Sequence, residues 1–283
     1  MTLNSRNADA VRRLMQSGGD LSAVLKPVTG FTLAGLVELV ATTASMGAFG
    51  DAEVKIESIA ETRGGILRLA LSGWNSATDD ALHEDIHGVR PAEFFRIRRR
   101  EDHTGLPYQL YQERFVRSLK HAEFPTKFSE ALAGALFEMT DNIVQHSLRE
   151  PGEFSGLAGY HAAPGYMAFA VMDIGQGVYS SLTRSPIWKD LPSAQEALRA
   201  AVCQQASSRP DQPEGEGFRT VFKSLSDRNC RLRFRSDDVA LVIEDGGTQR
   251  NGSVVSSPHL AGLQLSVCCA LSGRPEEKAI NGA

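Results

Sequence analysis

The spacing of apolar and polar residues predicts helices and strands along the chain. Residues 8–17 and 32–46 have the three- and four-residue spacing of helices, and the second segment is largely apolar. Residues 53–59 and 66–71 alternate with the two-residue period of half-buried strands, and the glycines between them predict a hairpin. Residues 94–100 alternate again. These elements predict a small α/β domain over residues 1–122.

A long helix is predicted to open the second half of the chain. It follows Pro125, a residue favoured near helix starts, and runs to about Ser147. Its apolar stripe consists of Phe128, Leu132, Leu136, Met139 and Ile143. Residues 155–162 and 166–173 predict two strands, and the second is almost continuously apolar, as a central strand is.

The remaining segments predict two more helices and further strands. Ser193-Ala-Gln-Glu196 has the pattern of a capping box before a helix at 194–205, and a second helix is predicted at 218–227. Residues 231–236 and 239–244 alternate, with a predicted turn at Asp237-Asp238, and 261–269 predict a last core strand. The polar tail after Ser272 is expected to be frayed.

Composition narrows the classes of partner and compartment. The chain has 283 residues, 42% of them hydrophobic, which favours two modest domains. A net charge of −4 argues against nucleic acid or an anionic membrane as a partner. The four cysteines form no C-x-x-C pair and fit a reducing compartment. Residues 31–49 are too polar for a membrane span, and the N-terminus lacks a signal-like apolar run, so a cytoplasmic location is predicted.

Two local patterns have a plainer interpretation than the functional one. His83-Glu84-Asp-Ile-His87 matches the H-E-x-x-H zinc pattern, but Gly88 ends the helix at once and no third ligand is evident. The basic run Arg96 to Arg100 is followed directly by Glu101-Asp102. We interpret the first as a chance match on a polar helix and the second as the solvated face of a strand.

Glu138, Asn142 and His146 repeat every fourth residue and therefore lie on nearly one face of the long helix. The amide oxygen of Asn142 can complete a magnesium octahedron whose other ligands are phosphate oxygens and waters. Glu138 can orient or deprotonate a water or hydroxyl. The alternative is a solvated helix face, which the motif alone would favour.

Asp173-Ile-Gly175-Gln-Gly177 stands at the end of the apolar strand. A carboxylate there can accept a hydrogen bond from an exocyclic amine such as that of adenine. The glycines let the backbone turn sharply and approach a planar base. The alternative is an ordinary strand-to-loop turn, in which Asp and Gly are common.

Glu214-Gly215-Glu-Gly217-Phe218-Arg219 opens the helix predicted at 218–227. Such a turn presents free N–H groups and the positive end of the helix dipole to phosphate. It is neither a Walker A loop, since no G-K-[ST] follows, nor a Rossmann fingerprint. The alternative is a flexible loop that leads into a capped helix.

The order of these motifs resembles the GHKL ATPase superfamily, which includes gyrase B, mismatch-repair ATPases, histidine kinases and anti-sigma-factor kinases. Residues 135–146 resemble its N box, 171–177 its first glycine box and 215–218 its second. Gly262 lies where the family has its last glycine motif, although Leu263 replaces the usual threonine. The resemblance covers residues 124–272, about half of the chain.

The resemblance implies a GHKL domain over residues 123–275, followed by a tail at 276–283. That domain would be a two-layer α/β sandwich with helices over a mixed sheet, and it would bind ATP and Mg²⁺. Asn142 would ligate the metal, Glu138 would activate the nucleophile, and His146 would have a supporting role. Asp173 would contact the adenine amine in a pocket lined by Gly175 and Gly177, and Gly215, Gly217 and Phe218 would close over the phosphates.

Several activities are compatible with this resemblance, since fold does not fix function. The leading prediction is a cytoplasmic ATPase or ATP-gated regulator, with a protein partner or a second copy of the chain and without a membrane. The alternatives are a serine/threonine kinase similar to anti-sigma-factor kinases and a nucleotide-binding module without chemistry. Autokinase activity is disfavoured because no histidine before residue 124 lies in a convincing dimerising helix.

Overall fold

The computed structural model describes most of the chain, in separate ranges. These are residues 1–20, 23, 25–45, 88–97, 100–146, 156–204, 206–209, 212–214, 225, 229–244 and 252–280. The predicted hairpin at 53–71, the H-E-x-x-H segment and the second glycine box lie outside the described residues. The same holds for the helix predicted at 218–227, apart from Leu225.

Two helices predicted near the N-terminus are confirmed. β1 (Thr2–Leu3) pairs in parallel with β2 (Gly30–Phe31), and α1 (Ala8–Gln16) lies between them in sequence. α2 (Leu33–Ser45) is buried from Leu33 to Ala44, as its nearly continuous apolar sequence requires. None of the described helices is long and apolar enough to cross a bilayer.

The central element is a five-stranded sheet with neighbouring helices along the chain. In chain order, the elements of this part of the chain begin with β3 (Ala92–Ile97), a 3₁₀ helix at Arg100–His103, α3 (Leu106–His121) and α4 (Thr126–His146). β4 (Gly156–Ala163) and β5 (Tyr166–Asp173) follow, then α5 (Gly177–Leu182) and α6 (Ala194–Cys203). β6 (Ala206–Arg209) pairs with β7 (Gln212–Glu214), and β8 (Cys230–Ile243) and β9 (Ser253–Ala270) complete the order.

The order of strands in the sheet is β3-β4-β5-β9-β8, and every neighbouring pair is antiparallel. The mixed sheet that the resemblance implied is therefore wrong for the described strands of this five-stranded sheet. β4 and β5 are joined by a tight turn at Pro164-Gly165, in which Gly165 has φ +65°. Such a two-residue connection can join only antiparallel strands.

Both faces of the sheet are covered by helices, whereas the predicted two-layer sandwich concerned residues 123–275 alone. α3, α4 and α6 cover one face with the apolar cluster that includes Leu136, Phe169 and Leu265. α1 and α2 cover the other face, where Leu36 and Met172 belong to a second cluster. The boundary predicted between residues 122 and 123 falls between α3 and α4, and strands from both sides of it share the one sheet. The division into two domains stays a prediction.

β8 is one continuous strand, so the turn predicted at Asp237-Asp238 is wrong. The chain passes through an irregularity in the pairing with β9 at Ser236 and Asp237, where Asp237 has φ +55°. A bulge bends a strand without reversing it, which explains why two alternating segments form one element. β9 begins eight residues before the strand predicted at 261–269.

The tail is not frayed up to Ile280. Glu277 accepts hydrogen bonds from Ser5 N at 3.0 Å and Thr32 Oγ1 at 2.7 Å. Ile280 N donates to Phe31 O at 2.7 Å, and the Ile280 side chain is buried. The tail thus packs on the N-terminal segment, which no local sequence pattern signals.

The cysteines also differ from expectation. Cys230 and Cys269 are register partners on β8 and β9 and form a disulfide, although the cysteine pattern fitted a reducing compartment. Cys268, whose side chain points to the other face of the sheet, is buried outside the disulfide and donates from its thiol to Pro275 O at 3.3 Å. The disulfide joins adjacent strands, so it adds a covalent link to an existing hydrogen-bonded pair.

Candidate functional site

α4 presents the first group of candidate residues beside its buried stripe. Leu132, Leu136, Met139 and Ile143 are fully buried against the sheet, as the sequence predicts. Glu138 and Asn142 are half-buried on the adjoining face, and the Asn142 amide nitrogen lies 3.8 Å from the Met139 sulfur. His146 is the last residue of the helix.

Asp173 is the last residue of β5 and is 6% exposed. Its Oδ1 accepts a hydrogen bond from Gly175 N at 2.8 Å, which closes the turn that the sequence predicts after this strand. Each oxygen of a carboxylate can accept more than one hydrogen bond.

The structure brings the C-terminal half of α4 to the end of β5. Asp173 is the register partner of Gly156 on β4. A Cβ at Gly156 would lie 2.6 Å from Cγ2 of Ile143, so the helix packs directly on this glycine. Asn142 is the neighbour of Ile143, and Glu138 precedes it by just over one helical turn. The first two predicted motifs therefore belong to one region of the fold.

Two glycines beside Asp173 have left-handed backbone conformations. Gly177 has φ +77° and Gly262 has φ +88°. A Cβ on Gly262 would collide with the Asp173 carbonyl oxygen and would lie 2.6 Å from Asp173 Oδ1. Gly262 thus combines the two reasons for glycine, a positive φ and a close approach. It lies in the segment that resembles the last glycine motif.

Ser236 and Asp237 are the residues at this site that the sequence analysis missed. Ser236 Oγ accepts from Val178 N at 2.9 Å, and Asp237 Oδ2 accepts from Tyr179 N at 3.4 Å. Burial raises the pKa of Asp237 above its ordinary value. The Asp-Asp pair resembled a turn, and the only signal of another role was its position after an alternating strand.

The connection after α5 contains a capped helix and a short hairpin. Ser193 Oγ accepts from Glu196 N at 3.2 Å, which confirms the predicted cap of α6. The hairpin of β6 and β7 leads into the second glycine box, and Gly215, Gly217 and Phe218 themselves lie outside the described residues. Their phosphate-binding role stays a prediction.

A magnesium ion at this site would have few protein ligands. Within the described ranges, no group of three or more His, Cys, Asp or Glu side chains is arranged to hold a metal ion. The half-buried amide of Asn142 fits Mg²⁺ because this ion keeps several waters and takes phosphate oxygens as ligands. A single protein oxygen on α4 would complete such a shell.

Comparison with protein-family models, with curated proteins and with solved structures finds no match for this chain. The resemblance to the GHKL superfamily therefore depends on the residues described above.

Proposed function

We propose that the chain binds Mg-ATP between α4 and the Asp173 turn, and that it acts as an ATPase or an ATP-gated regulator. The observation that carries this proposal is the packing of Ile143 on Gly156, the register partner of Asp173. It places the face of α4 with Asn142 and Glu138 beside the end of β5.

The Asp173 turn has the properties that an adenine pocket requires. The carboxylate is nearly buried, so a hydrogen bond from an exocyclic amine would be made largely away from water. Gly177 and Gly262 have the positive φ that the turn requires, and neighbouring protein atoms pack where their Cβ atoms would lie, so both glycines shape the backbone beside Asp173. A hydrogen bond to a charged group of this kind contributes about 1.5–3 kcal/mol.

α4 supplies the groups that the phosphate end of the nucleotide requires. Asn142 would ligate Mg²⁺ through its amide oxygen, and Glu138 would act on the attacking water or hydroxyl. Both side chains are half-buried and so are held by the fold without being sealed from a ligand. A partner protein or a second copy of the chain would receive the signal that ATP binding produces.

The binding part of the proposal is tested by calorimetry with Mg-ATP. Asp173→Asn places an amide nitrogen where an acceptor is needed, so affinity should fall about 10- to 100-fold. Asp190→Asn, at an exposed position in the connection after α5, serves as the matched control and should bind as wild type. Undiminished affinity of the Asp173→Asn protein would sink the adenine assignment.

The reaction is tested with ATP labelled on its γ-phosphate. Glu138→Ala should retain binding and lose about 100-fold or more in turnover, whereas Glu130→Ala, exposed on the same helix, should not change it. Released phosphate indicates an ATPase, and label on a co-purified protein indicates a serine/threonine kinase. Bound ATP that is never hydrolysed indicates a nucleotide-binding module.

A further inference from the structure

We propose that Ser236 and Asp237 position the nucleotide turn, defined as residues 173–179, and thereby set the preference of the site for adenine. This inference rests on the proposed function, since it assigns a selectivity role at the same pocket. It goes beyond the resemblance because Ser236 and Asp237 belong to none of the motifs that carry it.

The pairing of β8 with β9 is irregular at the level of the nucleotide turn. Ser236 pairs with Leu263 and Asp237 pairs with Leu260, so Ala261 and Gly262 are extra residues on β9. A bulge of this kind re-aims the side chains beside it. Here it directs Ser236 and Asp237 toward Gly177, where a Cβ would lie 3.0 Å from Ser236 Oγ and 3.1 Å from Asp237 Oδ1.

The two side chains satisfy backbone groups at the start of α5. Ser236 Oγ accepts from Val178 N at 2.9 Å and donates to Gly262 O at 2.8 Å. Asp237 Oδ2 accepts from Tyr179 N at 3.4 Å. The first N–H groups of a helix have no partner within the helix, so these contacts fix how the chain leaves Gly177.

The backbone of Asp237 has a positive φ, a conformation that favours glycine, and the chain nevertheless has an aspartate there. Its φ of +55° lies in the left-handed region, which costs a residue with a Cβ about 1 kcal/mol and costs glycine little. A position selected for backbone shape alone would suit glycine better. The aspartate supplies an acceptor to Tyr179 N, and strained residues of this kind cluster at functional sites.

Asp173 is connected to both residues through Gly262. The Ser236 hydroxyl holds the Gly262 carbonyl, and the α-carbon of Gly262 packs against the backbone and carboxylate of Asp173. A shift of the bulge would therefore displace the carboxylate that faces the base. Adenine has an exocyclic amine to donate, whereas guanine has a carbonyl at the corresponding position, so misplacement of Asp173 should reduce discrimination between the two.

The test compares ATP and GTP affinities of the full chain by calorimetry. Asp237→Gly removes the acceptor and relieves the positive φ, and Ser236→Ala removes the hydroxyl. Each is expected to lower ATP affinity about ten-fold and to leave GTP affinity unchanged. Asp237→Asn keeps an amide oxygen and tolerates the left-handed conformation, so it should restore selectivity. Asp238→Gly, exposed and one residue away, is the matched control.

The outcomes separate this inference from the proposed function. A merely structural role would lower the melting temperature and keep the ATP-to-GTP ratio of affinities, which would overturn the positioning role. Wild-type selectivity in both the Asp237→Gly and the Ser236→Ala proteins would overturn it as well. If the wild-type chain bound no ATP, the proposed function would fall, and the inference with it. Loss of selectivity with rescue by Asp237→Asn supports it.

Discussion

The two faces of the central sheet are buried by different chemistry. Against α3, α4 and α6 the sheet presents mainly apolar side chains, such as Phe169 and Leu265, together with one buried ion pair between Glu93 of β3 and Arg114 of α3. Against α1 and α2 it buries a larger group of charges, because Glu38 of α2 is 1% exposed and lies among three arginines. We call this second group the Glu38 cluster, and its members are Asp9, Arg12, Glu38, Arg233 and Arg235.

The Glu38 cluster is held by close ion pairs. Arg233 and Arg235 lie 2.6 and 2.8 Å from the Glu38 carboxylate, and Arg12 lies 3.3 Å from it. Burial by itself raises the pKa of Glu38, but the positive charges of the three arginines outweigh this effect and hold it below its ordinary value. Burial also lowers the pKa of Arg12 to about 10.

The difference between the faces indicates what each contributes. Apolar contacts depend mainly on volume and pattern, so many side chains of similar size serve equally well. A buried ion cluster allows one arrangement, since removal of a partner leaves an uncompensated charge away from water. The apolar face thus provides most of the burial, and the Glu38 cluster fixes where α1 and α2 dock on β8.

The largest expected effect on stability comes from a volume-conserving change at Glu38, compared with a volume-conserving change on the apolar face. Glu38→Gln keeps the size of the side chain but leaves the three arginines with only Asp9 as an acid, so the free energy of unfolding should fall by about 3–5 kcal/mol. Leu136→Met on the apolar face should cost less than about 1.5 kcal/mol. Urea denaturation measures both, and equal losses would remove the distinction between the faces.

An intermediate effect is expected from pH, through His161 on β4. Burial, with the charge of Lys278, lowers the pKa of His161 from 6.5 to about 4. The unfolded chain therefore binds more protons between pH 4 and 6.5, and stability should fall as pH decreases through this window. The loss should reach about 3 kcal/mol.

His161→Gln tests this assignment, because glutamine has no proton to gain in that pH range. The variant should lose most of the pH dependence of its melting temperature between pH 6.5 and 4. His121→Gln, exposed at the end of α3, is the control and should keep the wild-type profile. An unchanged profile in the His161→Gln protein would assign the dependence to other groups.

The smallest expected difference concerns the end of the sheet beside Asp173. Gly262 and Gly18 both have φ +88°, but a Cβ on Gly18 meets nothing within 4 Å. Both alanine variants should lose about 1–2 kcal/mol from backbone strain. Only Gly262→Ala should lose more, together with ATP affinity, because its methyl group collides with Asp173. Thermal melts of the two proteins separate the effect of the contact with Asp173 from that of backbone strain. Calorimetry measures the loss of ATP affinity.

Much of the local structure is predictable from the sequence. The stripe from Phe128 to Ile143 predicts α4, and the apolar run before Asp173 predicts β5 with its turn. The strand that pairs with β3 is not predictable, because alternation does not indicate which strand of the sheet is the neighbour. The resemblance implied a mixed sheet, whereas the neighbouring strands of the five-stranded sheet are all antiparallel.

The alternation of residues 231–236 predicts a strand, but it does not predict that the arginines of this strand are buried. It correctly predicts a strand with arginines on one face, and exposure to solvent is the usual state of such a face. The structure buries Arg235 completely, because Glu38 reaches it from 197 residues away in sequence. Ser236 and Asp237 were missed for a similar reason, since their partners lie 58 residues earlier, on the nucleotide turn.

By itself the sequence determined the helices and strands whose period is strong, and it determined which residues stand at their ends. Periodicity is a short-range property, because the repeat of a helix or strand sets which neighbouring side chains share a face. Only the tertiary structure decided that α4 lies over Gly156, that Gly262 lies against Asp173 and that charge is buried under α2. Those outcomes depend on contacts between distant segments, whose free energy no local pattern contains.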